Sequence, residues 1–236
     1  MCRGVPETDQ MKFITQSTKL IDCAANRRGE ESYRELLLVE GDSASKSVAR
    51  VRDSRFQAVL PMQGKPMNAT KASDASVRRN QWFAALIDAL GVGWHAEDFA
   101  DLRYDRVLFL FDPDADGIHC GALMLMFFDV YLRPLLDANR VSLIKSPLFE
   151  IRATGYSDSI PAYSEDHLRR IRKTLDEKNI SHSHHRFRGL ASLNEGMLQD
   201  CCVDPDSRTA YLLQHSDALA ARAIFGPKEQ RAGLTE

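Results

Sequence analysis

The sequence predicts an α/β fold: a mostly parallel sheet with helices on both faces, followed by a small, mainly helical C-terminal tail. Three observations carry this. Two short apolar runs, Leu36-Leu37-Leu38-Val39 and Val107-Leu108-Phe109-Leu110-Phe111, have the composition of strands buried on both faces. Such runs alternate along the chain with segments of helical periodicity. The chain has 236 residues, 44% hydrophobic and 27% charged, enough for one large domain or one domain with a small appendage.

The elements follow in order. Residues 1–33 are polar and mixed, and read as a loose N-terminal arm. Arg34 to Val39 reads as the first buried strand, and Ser43 to Arg52 as a short helix that Asp42 or Ser43 can cap. Gln57 to Met62 is a second strand, ended by Pro61 and Gly64. Ser76 to Leu90 is helical, because Trp82, Phe83, Leu86, Ile87 and Leu90 fall at helical spacing and Gly91 suits the C′ position. Arg106 to Phe111 is a third strand. Gly117 to about Asp137 is a long apolar helix, bent or shortened by Pro134, and Val141 to Lys145 is a fourth strand. Leu148 to Arg152 reads as a further strand. Residues 34–152 thus form the α/β domain and 153–236 the tail region. In the tail, Ser164 to Lys178 is a charged helix, Ser181 to His185 a polar His-rich linker, and Asn194 to Cys202 and Ser216 to Phe225 are two closing helices.

The chemistry concentrates where two strands end. Asp112-Pro113-Asp114-Ala115-Asp116-Gly117 follows the third strand, and Glu40-Gly41-Asp42-Ser43-Ala44 follows the first. In parallel sheets ligands bind at the carboxyl ends of strands, so these distant positions can share one site. Unpaired carboxylates this close repel one another, and oxygen-rich clusters suit hard cations, Mg2+ above all. Other readings fit less well. A calcium EF-hand loop also begins D-x-D-x-D-G, but its twelfth position falls on Leu123 and strand-like residues precede it. A phosphatase-type D-x-D nucleophile leaves Glu40 without a role, and so does a solvated acidic turn.

A net charge of −2 and a pI near 6.4 give no global reason to expect nucleic-acid binding. Any such binding must come from local clusters: Arg50, Arg52 and Arg55; Arg78 and Arg79; Arg169, Arg170, Arg172 and Lys173; or Arg186 with Arg188. The five cysteines show no C-x-x-C spacing, which argues for reduced thiols and against a zinc site or disulfide frame. There is no signal-peptide pattern, and the longest apolar stretch, Ala122 to Phe128, is too short to span a bilayer. These features predict a cytoplasmic protein with no membrane contact.

Five ordered motifs resemble the TOPRIM domain and following C-terminal part of the B subunit of type IIA DNA topoisomerases, the gyrase B and topoisomerase IV B family. They are Glu40-Gly41-Asp42-Ser43-Ala44; Leu60-Pro61-Met62-Gln63-Gly64-Lys65-Pro66-Met67-Asn68; Asp112 to Gly117; Arg186-Phe187-Arg188-Gly189-Leu190 with Asn194; and Asp204-Pro205-Asp206-Ser207-Arg208. They correspond to the family's E-G-D-S-A, P-L-K-G-K-x-L-N, D-x-D-x-D-G, R-Y-K-G-L-G-x-M-N and D-P-x-S-R. The resemblance runs from about Leu20 to Phe225. It implies a Rossmann-like sheet. It also implies that Glu40 is the catalytic acid and a metal ligand, that Asp112 and Asp114 hold Mg2+ (with Mn2+ or Ca2+ able to substitute), and that Asp116 is a further ligand. Lys65 would sit by the scissile phosphate, and Arg186 and Arg188 near the DNA backbone.

The same resemblance implies Mg2+-dependent cleavage and rejoining of double-stranded DNA, with the attacking tyrosine supplied by an A-type partner and the complex associated with the nucleoid. The departures shape the expectation. Only about 33 residues precede the first strand and no G-x-x-x-x-G-K-[ST] occurs, so no ATP site is expected in this chain, and any ATP coupling would need a separate ATPase subunit. None of the six tyrosines sits in a context that marks a nucleophile, so the isolated chain is not expected to turn over. Ala191 replaces the second glycine of the R-Y-K-G-L-G element, and the family's basic pair after Phe225 is missing. Two alternatives remain: a non-catalytic docking or regulatory module for a topoisomerase, and a stand-alone metal-dependent nuclease.

Overall fold

The computed structural model describes residues 19–24, 33–95 and 101–227. Its centre is a five-stranded sheet built from β1 (Glu35–Glu40), β2 (Gln57–Met62), β3 (Arg106–Leu110), β4 (Val141–Ile144) and a short late strand, Ala210–Leu212. β1 lies between β2 and β3, β4 follows β3, and these pairings are all parallel; Ala210–Leu212 closes the far edge antiparallel to β4. The mostly parallel α/β fold expected from the sequence is therefore present.

The apolar runs are continuous because both faces of the sheet are covered. Leu36 and Leu38 point into one core with Leu60, Phe109, Phe83 and Phe127; Leu37 and Val39 point into the other with Val59, Leu108 and Leu110. The first face carries α2 (Asp74–Arg78), α3 (Gln81–Leu90), α4 (Ala115–Tyr131) and α5 (Arg133–Asp137), joined by the last helix, His215–Phe225. The second face carries α1 (Asp42–Val51), a 3-10 turn at Leu190–Ser192, and the segment Glu195–Val203.

Two expected helices are divided. The segment from Ser76 to Leu90 breaks at Asn80, whose side chain accepts from the backbone N–H groups of Trp82 (3.0 Å) and Phe83 (3.2 Å) and so caps a second helix. The long apolar helix stops at Tyr131, and Pro134 falls in the first turn of a separate short helix, where its missing N–H costs nothing. Of the expected N-terminal arm, residues 1–18 and 25–32 lie outside the described residues. Its described part is held against the sheet: Ile21 pairs with Val59 through two 2.9 Å backbone hydrogen bonds.

After β4 comes a second, three-stranded antiparallel sheet of β5 (Phe149–Ala153), β6 (Ile160–Ala162) and β7 (His182–Arg186), ordered β6-β5-β7. The helix α6 (Glu165–Glu177) covers it through Leu168 and Leu175, packed on Phe149, Ile151 and Ala162. Here the reading of the His-rich stretch as a polar linker is corrected. His182, His184 and His185 lie in an edge strand in register with β5, Glu150 opposite His185. The strand is exposed over most of its length, so no apolar alternation advertised it.

The tail then returns to the first sheet as α7 (Glu195–Leu198), a π-helical turn over Gln199–Val203, β8 (Ala210–Leu212) and α8 (His215–Phe225). Two buried ionic clusters fasten it. Arg208 clamps the carboxylate of Glu35 on β1, one guanidinium nitrogen also reaching the Val203 carbonyl at 2.9 Å, and Gln57 donates to both Glu35 (2.9 Å) and Val203 (2.8 Å). Asp129 on α4, its side chain 2% exposed, accepts from His215 (2.6 Å) and Arg222 (2.7 Å) of α8 and from Arg133 (3.3 Å). No described helix is long and apolar enough to cross a membrane.

Candidate metal and nucleic-acid site

β1 and β3 are parallel neighbours in register, Val39 opposite Leu110, so their next residues leave the sheet at the same edge. That register brings Glu40 and the Asp112 turn together although they are about 70 residues apart. Gly41 turns the chain at once into α1 with φ of 83°, a value side-chain-bearing residues rarely adopt.

Each carboxylate has a distinct environment. Glu40 accepts through Oε1 from the Cys120 thiol (3.5 Å), and its Oε2 is buried without a hydrogen-bond partner. Asp112 accepts through Oδ1 from the Leu190 backbone N–H (2.8 Å). Asp114 caps α4 by accepting from Gly117 N–H (2.9 Å). Asp116 is exposed and pairs with Lys65 at 2.9 Å. Lys65 comes from the turn after β2 and reaches past the end of the intervening β1 to do so.

Two glycines make this packing possible. A Cβ on Gly117 would lie 2.0 Å from the Asp112 carbonyl oxygen, and one on Gly189 would lie 2.6 Å from Asp112 Oδ2, at a φ of 157°. Gly189→Ala should therefore displace either the Leu190 loop or the Asp112 carboxylate. We expect a clear loss of thermal stability, with the Leu190 amide becoming faster in hydrogen exchange; unchanged protection would refute the contact.

The electrostatics follow from burial and crowding. Burial, and then the charges of Asp112, Asp114 and Asp116, hold the Glu40 carboxyl above the usual range, against the lowering effect of the Cys120 hydrogen bond. Burial also raises Asp112, with Asp114 adding to it and the Leu190 N–H opposing. Asp116 is lowered by its hydrogen bond to Lys65, which in turn raises Lys65. The Cys120 thiol, pushed up to about 12 by burial and then by Glu40, stays protonated and can serve as the donor.

The structure thus brings Glu40, Lys65, Asp112, Asp114 and Asp116 to one edge. Among the described residues, however, no three Asp, Glu, His or Cys side chains close on a common point as an ion would require. Three of the four acids are engaged by an N–H or an ammonium group. The donor set nonetheless fits a hard divalent cation: it is all carboxylate oxygen, and Glu40 contributes a buried oxygen with no partner.

The two arginines diverge. Arg188 is exposed and makes no ion pair among the described residues; in sequence it stands two residues before Leu190, whose backbone N–H meets Asp112. Arg186 belongs to β7, where it lies over the Phe149 ring at 5.7 Å and pairs with Glu165 of α6 at 3.5 Å. Sequence reasoning missed Cys120, Gly189 and the Leu190 amide as neighbours of the acids. The R-F-R-G-L element was visible, but nothing local tied it to Asp112, and Cys120 gave no signal at all.

Comparison with known proteins bears on this edge. The family model described as Toprim domain matches residues 35–145, which span β1 through β4. The B subunit of DNA gyrase from Archaeoglobus fulgidus is 35% identical over 214 residues, covering 90% of this chain and 32% of that protein. Its counterpart in the DNA gyrase of Thermus thermophilus is 34% identical over 212 residues, covering 88% of this chain and 32% of the relative. The B subunit of DNA topoisomerase 4 from Bacillus subtilis is 36% identical over 188 residues, covering 78% of this chain and 28% of the relative. The chain spans about a third of the length of these curated relatives.

Proposed function

Residues 35–145 belong to the Toprim domain family and most of the chain is related to gyrase B, and from that premise we propose that the protein is the metal-binding module of a type IIA DNA cleavage and rejoining reaction. It would act on double-stranded DNA with an A-type partner that supplies the attacking tyrosine. Residues 34–152 would form the catalytic domain and 153–236 the tail region, although β5 at that boundary pairs with β6 and β7 of the tail and not with the first sheet. The observation that carries this reading is the arrival of Glu40 and the Asp112 turn at adjacent parallel strand ends, with Lys65 drawn across between them.

Glu40, Asp112 and Asp114 would hold Mg2+, with Asp116 available once it leaves Lys65. A bound divalent cation offsets charge on the phosphodiester oxygens. The chain's own groups do the rest. Glu40 would give a proton to, and take one from, the 3′ oxygen. Lys65, released from Asp116, offers its ammonium to a phosphate. Arg188, which no described acid engages, would add a cation from the loop that contacts Asp112, whereas Arg186 must first leave Glu165.

The experiment combines the chain, an A-type subunit, Mg2+ and supercoiled plasmid. Breaks carrying protein joined through a 5′-phosphotyrosyl bond are expected, and Glu40→Gln should reduce them by at least about 100-fold, the scale of losing a positioned acid–base group. Free 5′-phosphate ends made by the chain alone would instead identify a nuclease. Tight partner binding without breaks would identify a docking module, a reading favoured by one observation: protein groups already engage three of the four acids.

A further inference from the structure

The segment before β1 is tied to the sheet at several points. Besides the Ile21–Val59 step, the Asp22 carboxylate accepts from the Tyr104 hydroxyl at 2.6 Å and from Arg103, and the Asp22 carbonyl accepts from Arg52 at 3.0 Å. This clamp fixes the approach of Lys19, two residues before Ile21. Lys19 Nζ donates to both oxygens of Asp42, at 3.0 and 2.8 Å, and Gln63 Nε2 donates to the same Oδ2 at 2.7 Å. The Asp42 carboxyl is lowered first by Lys19 and then by Gln63.

Stability does not account for this arrangement. Lys19 and Asp42 side chains are 46% and 44% exposed, and pairs so wet contribute little to folding. Their position is more informative. Asp42 is two residues beyond Glu40, and Gln63 is two residues before Lys65, so the pair stands on the same rim of the sheet as the acids. A bare carboxylate there would repel a phosphodiester. An ammonium group carries three donors, and among the described residues Asp42 takes two, which leaves one for a further acceptor.

The geometry points to Lys19 as a phosphate-contacting residue, carried to the DNA-facing rim beside Glu40 by the clamped N-terminal segment. This rests on the reading of the rim as a DNA site. Gln63 supplies the means of testing it, because its side chain already reaches the Asp42 oxygen that Lys19 uses, so a lysine at 63 can place an ammonium in the same spot.

The measurement is binding of a short fluorescently labelled DNA duplex across a salt series. Wild type should bind with a steep salt slope, and Lys19→Ala should flatten that slope by about 0.9, one phosphate contact. Its melting temperature should stay at the wild-type value. Adding Gln63→Lys to Lys19→Ala should restore the slope, whereas adding Asp42→Asn should not. An unchanged slope in Lys19→Ala overturns the inference. So does restoration by Asp42→Asn as full as that by Gln63→Lys, which would mean Lys19 only neutralises Asp42. If the duplex does not bind wild type at all, the DNA reading and this inference fall together. If Arg188→Ala flattens the slope while Lys19→Ala does not, only this inference falls.

Discussion

Arg208→Ala should cost the fold about 3–5 kcal/mol, the range for breaking a buried ion pair by removing one partner. The reason lies in what remains. Glu35 is fully buried on the central strand β1, and without Arg208 its carboxylate keeps only neutral donors, the Gln57 amide and the Tyr33 hydroxyl. The Val203 carbonyl also loses one of its two donors. An uncompensated buried charge must then either be protonated at a cost or drag water into the sheet. Urea denaturation followed by circular dichroism measures this directly. A loss under about 1 kcal/mol, the size expected of a solvent-exposed pair, would show that the cluster is hydrated. The consequence reaches the site, since the same anchor fixes the return of the tail that begins with the Leu190 loop on Asp112.

The second large effect is loss of metal binding. Calorimetry with Mn2+ as a stand-in for Mg2+ should show saturable binding to wild type and none to Asp112→Asn combined with Asp114→Asn. The variant is well matched to the structure. An asparagine at 112 can still accept from Leu190 N–H, and one at 114 can still cap α4 at Gly117, so the fold survives the change. Without metal the variant should melt slightly higher than wild type. The Asp112 carboxyl is raised in the folded chain, so its ionised form opposes folding. That contribution to stability is full below the ordinary carboxyl pKa and lost as pH rises through the folded value, and a neutral asparagine keeps it at pH 7. Unchanged Mn2+ affinity in the double variant would remove the Asp112 turn from the site.

Much of this molecule is written locally in its sequence. Leu36 to Val39 and Val107 to Phe111 announce strands buried on both faces because unbroken apolar composition suits no exposed segment. Acids placed directly after those runs must put Glu40 and the Asp112 turn at one edge, since parallel strands end on the same side. Gly91 ended its helix as expected, in a left-handed conformation with φ of 71°. The failures were also local. One long helix was expected where Asn80 makes two, and an exposed strand of histidines looked like a linker because strands without a buried face leave no periodic trace.

What the sequence by itself determined is therefore the fold class, the strand ends and the identity of the acids, all of which depend on burial and on residues near one another in the chain. Only the tertiary structure decided which groups those acids meet. Arg186 turned away to Glu165, the Leu190 amide came to Asp112, Cys120 came to Glu40, Arg208 came to Glu35, and Lys19 came to Asp42. Most of these partners are separated by tens of residues, and the Arg208–Glu35 pair by 173. No local propensity selects such pairs; they are fixed by the packing of whole helices and strands, which brings side chains together as a by-product of burying the apolar ones.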